Sequence, residues 1–245
     1  MRKVAIVAGA SSGIGRELAL LLAGDPEISA VYAQARRLPL LEALAKDNDK
    51  IVPVPLDLTA ESAFSCLKPG DVPVVSVYAA GVGYAYPVEE TGIDNAARCI
   101  DLNCRALTRF LSEGANVTPA GGKLAAIASA SAFLPQSYFA VYAASKSFAL
   151  SLCRAVNAEL KRKKITVTAV CPGPVDTEFF SHATPSGTVD EKKKKYLASP
   201  EKVAKRAYKA IKKGKEVCVP TASMRAARFF SKLLPHGLLV KIYKK

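Results

Sequence analysis

Residues 2–23, RKVAIVAGASSGIGRELALLLA, decide the fold. Val4 to Ala8 form a short apolar run with the character of a buried strand. Gly9 to Gly15 make a glycine-rich turn, and Arg16 to Ala23 read as an amphipathic helix. Glycines at 9, 13 and 15 let the backbone approach a ligand closely, and the free N–H groups where the helix begins suit a pyrophosphate. The spacing is GxxxGxG rather than GxGxxG. Gly9-Ala10-Ser11-Ser12-Gly13 also satisfies GxSxG, the nucleophile elbow of serine hydrolases. That rival needs a later acid and histidine, whereas the chain has only His182 and His236, and the elbow normally follows an inner strand rather than the first one.

Outward from this segment, apolar runs alternate with helical patterns. Strands are expected at 3–8, 29–34, 51–55, 73–78, 123–128, 165–171 and 216–219, with helices between them. The alternation implies an α/β fold with a mostly parallel, seven-stranded, doubly wound sheet and helices on both faces. With 245 residues, half of them apolar, and no linker or internal repeat, the chain is expected to form a single domain over 1–245. The N-terminal apolar run is too short for a signal peptide, and no run approaches the length needed to span a bilayer. Six cysteines without CxxC or metal spacing imply buried thiols and a cytoplasmic location.

The chemistry is carried further along. In AVYAASKSFALSLCRAVNAELK, Tyr142 and Lys146 lie four residues apart on an expected helix, which puts the ammonium beside the phenol and favours the phenolate. A phenol so tuned can pass a proton at neutral pH. Ser129 falls at the C-terminal end of the strand 123–128, where open parallel sheets place their ligands; there it can polarise a carbonyl or simply cap the next turn. Another strand runs into Cys171-Pro172-Gly173-Pro174-Val175-Asp176-Thr177.

Taken together, GASSGIG, Ser129, the YxxxK pair and PGPVDT resemble the short-chain dehydrogenases/reductases in order and spacing, from Val4 to about Val219. The resemblance implies a Rossmann-type fold and the catalytic set Asn103, Ser129, Tyr142 and Lys146, with Asn103 holding a water that links Lys146 to solvent. It implies cofactor contacts at Gly9, Ser11, Ser12, Gly13, Ile14, Gly15, Asp57, Leu58, Ala80, Gly81, Tyr142, Lys146, Pro172, Gly173, Val175 and Thr177. It further implies a carbonyl/alcohol oxidoreductase with Tyr142 as acid/base, assembled as a homodimer or homotetramer. The chain departs from the family where Tyr78-Ala79-Ala80-Gly81 replaces Asn-Asn-Ala-Gly and Ala8 replaces a threonine. Ala79 lacks the amide that ties neighbouring strands. A catalytically weak NADP(H)-binding sensor is the alternative that this departure raises, and the intact four-residue set argues against it.

After the second strand Ala35 stands where an NAD-preferring enzyme carries an acid, and Arg36 and Arg37 follow. A guanidinium binds a 2′-phosphate through paired hydrogen bonds, so NADP(H) is expected over NAD(H), with Arg36 the better candidate. Phe133, Tyr138 and Phe179 are the expected substrate contacts beside Ser129 and Tyr142, with Gly83 to Tyr86, Phe180 and His182 nearby. Their aromatic character suits an apolar or cyclic carbonyl.

The formal charge of +14 gathers in lysine clusters at 161–164, 192–195 and 212–215. No nucleic-acid motif accompanies them, so nucleic acid is not an expected partner; an anionic substrate fits better. Residues 222–245 are basic and amphipathic, with Phe229, Phe230, Leu233 and Leu234 set against Arg225, Arg228 and Lys232. Packing over the cleft or in a subunit interface is expected ahead of peripheral membrane contact.

Overall fold

The computed structural model describes residues 1–46, 48–184 and 197–233. The lysine cluster at 192–195, Leu234, His236 and the remainder of 222–245 lie outside the described residues, as do the side chains of His182, Lys232 and Leu233. One sheet of seven strands has the order β3-β2-β1-β4-β5-β6-β7, with every pairing parallel. The strands are β1 (Arg2–Ala8), β2 (Ala30–Ala35), β3 (Ile51–Pro55), β4 (Asp71–Tyr78), β5 (Lys123–Ile127), β6 (Thr166–Val170) and β7 (Val217–Cys218). Each expected strand is present, with ends shifted by at most two residues.

Side chains alternate across a strand, so a single apolar run serves two cores. Val4, Ile6 and Ala8 of β1 join one cluster with Tyr32, Tyr78, Phe110 and Leu124. Ala5 and Val7 join the other with Leu18, Val31, Val75 and Ile211. Helix α1 (Gly13–Ala23) covers the second face; α2 (Leu38–Ala45) leads into β3. The short α3 (Val88–Thr91) and α4 (Ile93–Ile100) follow β4, then α5 (Leu107–Val117), α6 (Ala140–Leu160), α7 (Phe179–Ala183), α8 (Pro200–Lys212) and α9 (Ala222–Leu233). Pro73 lacks an N–H to give the ladder, and the register between β1 and β4 slips beside it, with Val4 opposite Pro73 but Ala5 opposite Val75.

Two features differ from expectation. Helix α1 begins at Gly13 rather than Arg16, so the turn is confined to Gly9–Ser12 and two of its glycines lie in the first helical turn. Between α4 and α5 the chain widens into a π turn, Asp101–Ala106, where the sequence predicts only helix between strands. The six cysteines are unpaired; Cys99, Cys153, Cys171 and Cys218 are buried.

Two polar ties hold the layers. The Asn157 side-chain oxygen accepts from the Val167 amide at 2.8 Å, pinning α6 to β6. Asp25, at the end of α1, accepts from the Tyr208 hydroxyl at 2.6 Å and Lys212 Nζ at 2.9 Å, pinning α8.

Candidate active site

The chain reverses its direction of travel across the sheet at β1, which has β2 on one side and β4 on the other. At such a switch point the turns after neighbouring strands diverge and leave a crevice at their C-terminal ends. A cleft of about 1240 Å³ opens there. Its floor is the turn after β1. Gly9 has φ +92°, and a Cβ on it would stand 2.5 Å from the Ala80 amide nitrogen. A Cβ on Gly15 would strike the Gly9 carbonyl. No side chain caps the start of α1, so its first amides face the cleft unclaimed by Ser12. This cradle fits a dinucleotide pyrophosphate.

One end of the cleft is cationic. Arg37 Nη2 donates to Ser11 Oγ at 3.0 Å, to Ser12 Oγ at 3.2 Å and to Glu178 Oε2 at 2.8 Å, so it spans from the glycine turn to the start of α7. Arg36 lines the same end. Asp57 beside it accepts from the Thr59 hydroxyl at 2.7 Å and amide at 2.9 Å; these bonds hold its carboxyl below the usual range, helped by the nearby arginines. Leu58, Ile14, Ala80, Gly81, Pro172, Gly173, Val175 and Thr177 line the same cleft. Thr177 sits over Gly13, where a Cβ would come within 2.9 Å of its methyl.

Ser129, Tyr142 and Lys146 meet at the middle of the cleft. Ser129 lies two residues beyond β5 and caps a short 3-10 turn, Ala130–Phe133, its Oγ accepting from the Ser131 amide at 3.1 Å. Tyr142 lies in the first turn of α6, its ring stacked on Phe139 at 4.3 Å and tilted against Phe179 at 5.3 Å. A Cβ on Gly83 would come within 2.5 Å of that ring, so only glycine lets the loop close on Tyr142. Lys146 is 5% exposed; its Nζ donates to the Ile127 carbonyl at 2.9 Å and lies 5.6 Å from the Tyr142 ring centre.

The electrostatics differ from the simple pairing expected of the two side chains. Burial among aromatic rings pushes the Tyr142 phenol up to about 12, with the Ser129 hydroxyl pulling the other way. Burial also lowers Lys146 to about 8. In the protein alone the ammonium is drawn to a backbone carbonyl, and the phenol keeps its proton.

Asn103 does not reach the cleft wall. It is buried in the π turn, its Oδ1 accepting from the Val82 amide at 3.0 Å and its Nδ2 donating to the Val82 carbonyl at 2.8 Å and Ser145 Oγ at 2.9 Å. It thus clamps the loop after β4 onto α6. Gly81 lies between the two polar groups: a Cβ there would sit 3.0 Å from Lys146 Nζ and 3.2 Å from Asn103 Oδ1.

The departure at Tyr78-Ala79 acquires a physical account. The Ala79 amide donates to the Ala8 carbonyl at 2.7 Å and so ties β4 to β1 through the backbone. The buried Tyr78 hydroxyl donates to the Leu102 carbonyl at 2.7 Å, anchoring the π turn one residue before Asn103. Sequence reasoning assigned Tyr78 no such bond.

Phe133, Phe179 and Phe180 line the cleft; Tyr138 does not. It adopts φ 59° and is 53% exposed, whereas Phe139 turns inward as the residue before α6. Met224 and Ala227 of α9 close the far wall, Met224 against Gly173. Thr59, Glu178, Phe139 and Met224 also line this cleft and carried no signal in the sequence beyond their neighbours.

A parallel doubly wound sheet with a glycine cradle at its switch point, and a Ser-Tyr-Lys group beside it, defines a nucleotide-dependent α/β oxidoreductase. The chain belongs to the short-chain dehydrogenase family, whose model matches residues 3–186. It is 31% identical over 238 residues to the glycine betaine reductase ATRR of Emericella nidulans, covering 89% of this chain and only 18% of that much longer protein. It is 28% identical to an uncharacterized oxidoreductase of Staphylococcus aureus, covering 91% of this chain and 96% of the relative. A short-chain dehydrogenase from Burkholderia cenocepacia, solved with NADP, superposes with a TM-score of 0.79 at 22% identity, covering 99% and 97% of the two chains. One from Burkholderia phymatum, solved with NAD, reaches 0.78 at 17% identity, covering 93% and 92%.

Proposed function

We propose that the protein interconverts a carbonyl and a secondary alcohol on a small apolar or cyclic substrate, using NADP(H), with Tyr142 as acid/base. The observation that carries this reading is the meeting of Ser129, Tyr142 and Lys146 beside a glycine cradle in one cleft. The nicotinamide, when bound, supplies or accepts the hydride. In the reducing direction the Ser129 hydroxyl orients the carbonyl oxygen and Tyr142 gives it a proton, so hydride and proton together complete the alcohol. Lys146, one helical turn on, would hold the cofactor's ribose hydroxyls together with Tyr142, and its positive charge favours the phenolate. Asn103 is a positioning residue, holding Val82 and α6 in register with Lys146. Val175 and Thr177, which line the cleft, would hold the nicotinamide.

Arg36 and Arg37, with the hydroxyls of Ser11 and Ser12 and no carboxylate at position 35, support NADP(H) over NAD(H). The half-exposed Ile100 on α4 and Phe148 on α6 support a homodimer or homotetramer. Six unpaired thiols suit the cytoplasm, and the chain acts as one domain. Among the described residues no helix is long and apolar enough to cross a membrane.

The test is a fluorescence titration with NADPH and NADH, followed by carbonyl-substrate turnover, on wild type, Arg36→Glu and Tyr142→Phe. NADPH binding is expected to be tighter than NADH and to weaken at least tenfold in Arg36→Glu. Tyr142→Phe should bind NADPH normally and lose about 100-fold or more in turnover. Retained turnover in that variant would sink the assignment.

A further inference from the structure

A second cavity, of about 630 Å³, lies away from the cleft, between α8, β7 and α9. Six cations line it: Arg206 and Lys209 of α8, Lys213 and Lys215 of the turn that follows, and Arg225 and Arg228 of α9. No carboxylate is among its lining residues, and none of the described residues forms an ion pair with any of the six. Two of the guanidiniums are held by the backbone beside β7: Arg206 donates to the Pro220 carbonyl, and Arg225 donates to the Val219 carbonyl at 3.4 Å. Arg228 lies over the Phe133 ring at 5.6 Å. Like charges gathered in one concavity repel one another until an anion shares the space, and fixed guanidiniums favour phosphate oxygens in particular.

The rim distinguishes the source of that phosphate. Phe229 and Phe230 of α9 are 61% and 55% exposed, packed edge-to-face at 5.7 Å. Arg225 and Phe229 are one helical turn apart, so cation and ring share a face, and Phe229 itself lines the cavity mouth. A soluble phosphate has no use for two exposed rings. A bilayer surface takes the rings at its acyl boundary and offers phosphates at the depth of the arginines.

We propose that this cavity is an anionic-lipid site, in which a phospholipid headgroup phosphate seats among Arg206, Lys209, Lys213 and Arg225 while Phe229 and Phe230 enter the interface. The opposite side of α9 carries Met224 and Ala227, which wall the active-site cleft. One helix therefore separates the two cavities, and lipid seating lays the wall of the cleft along the membrane.

The test is co-sedimentation of the full chain with vesicles of phosphatidylcholine, alone or mixed with phosphatidylglycerol, at low and high salt. Binding is expected only to the mixed vesicles, to weaken with salt, and to fall about fivefold for each of Lys209→Gln and Lys213→Gln. The double variant Phe229→Ser, Phe230→Ser should also lose binding. The NADPH titration serves as the folding control, since none of these side chains lines the cleft, and vesicle binding is read without any turnover. Four results would overturn the proposal: no binding to mixed vesicles, equal binding by wild type and the lysine variants, thermal stabilisation by inorganic phosphate without vesicle binding, or capture of a labelled oligonucleotide in preference to vesicles.

Discussion

Tyr78 shows how a change of residue relocates a tie rather than removing it. Its hydroxyl holds the Leu102 carbonyl, and Leu102 precedes the buried Asn103 that clamps Val82. Tyr78→Phe removes this part-buried hydrogen bond, which is expected to cost about 1 kcal/mol of stability and to lower kcat with little change in NADPH affinity. Steady-state kinetics beside thermal melts would check this; an unchanged kcat in a destabilised protein would mean that the bond serves the fold alone. Lys146 offers a second probe. Its amine is near 8 in the folded chain against 10.5 in the open one, so the unfolded state binds the extra proton between those values. Wild-type stability relative to Lys146→Met should therefore rise with pH across that window, read by chemical denaturation at pH 8 and 10. Much of this site was legible, because the spacing of Tyr142 and Lys146 fixes a shared helix face. Tyr138 was not: the chain takes φ 59° there, just before α6, and it is the next ring, Phe139, that faces the cleft.

The elements were legible wherever an apolar run and its flanking breakers agreed, which covers all seven strands. The π turn was not, because widening a helix leaves its composition unchanged and shows only in which carbonyls the amides meet. The start of α1 was placed late because Gly13 to Gly15 read as loop by propensity, whereas close packing of Gly15 on the Gly9 carbonyl forces glycine into the first turn. At this scale Asn157 is the joint to test. Asn157→Ala removes the acceptor of the buried Val167 amide and should destabilise the chain by about 1–3 kcal/mol in urea, with kcat unchanged because the joint lies at the far end of α6 from Tyr142.

For the molecule as a whole, two carboxylates join distant parts of the sheet and its helices. Burial alone would raise Asp25, but bonds from Lys212, Tyr208 and the Glu27 amide outweigh it and bring the group to about 2. Asp71 reaches about 2 chiefly through its bond from Arg2, with Tyr32 and the Lys68 amide adding to it against burial. Both folded values lie below the open-chain value of 3.8, so the stability these groups contribute is fully present above about pH 4 and is lost as pH falls through 2. Denaturation at pH 6 and pH 3 should show wild type losing stability that Asp25→Asn, already weaker at pH 6, loses less of. The mostly parallel, seven-stranded sheet followed from the strand–helix alternation; which helix carries the basic cavity did not, because Arg206 and Arg225 converge only once α8 and α9 have docked beside β7.

The six unpaired cysteines carry a consequence of another kind. Burial pushes every one of their thiols above its ordinary value, Cys153 and Cys171 to about 12. Alkylating reagents attack the thiolate, so at neutral pH the closed molecule presents them with almost nothing to modify at the buried Cys153 and Cys171. The rate at which label accumulates then counts openings of the chain, and Cys153 and Cys171, in one core beneath Lys146, act as a clock for how often the heart of the molecule comes apart.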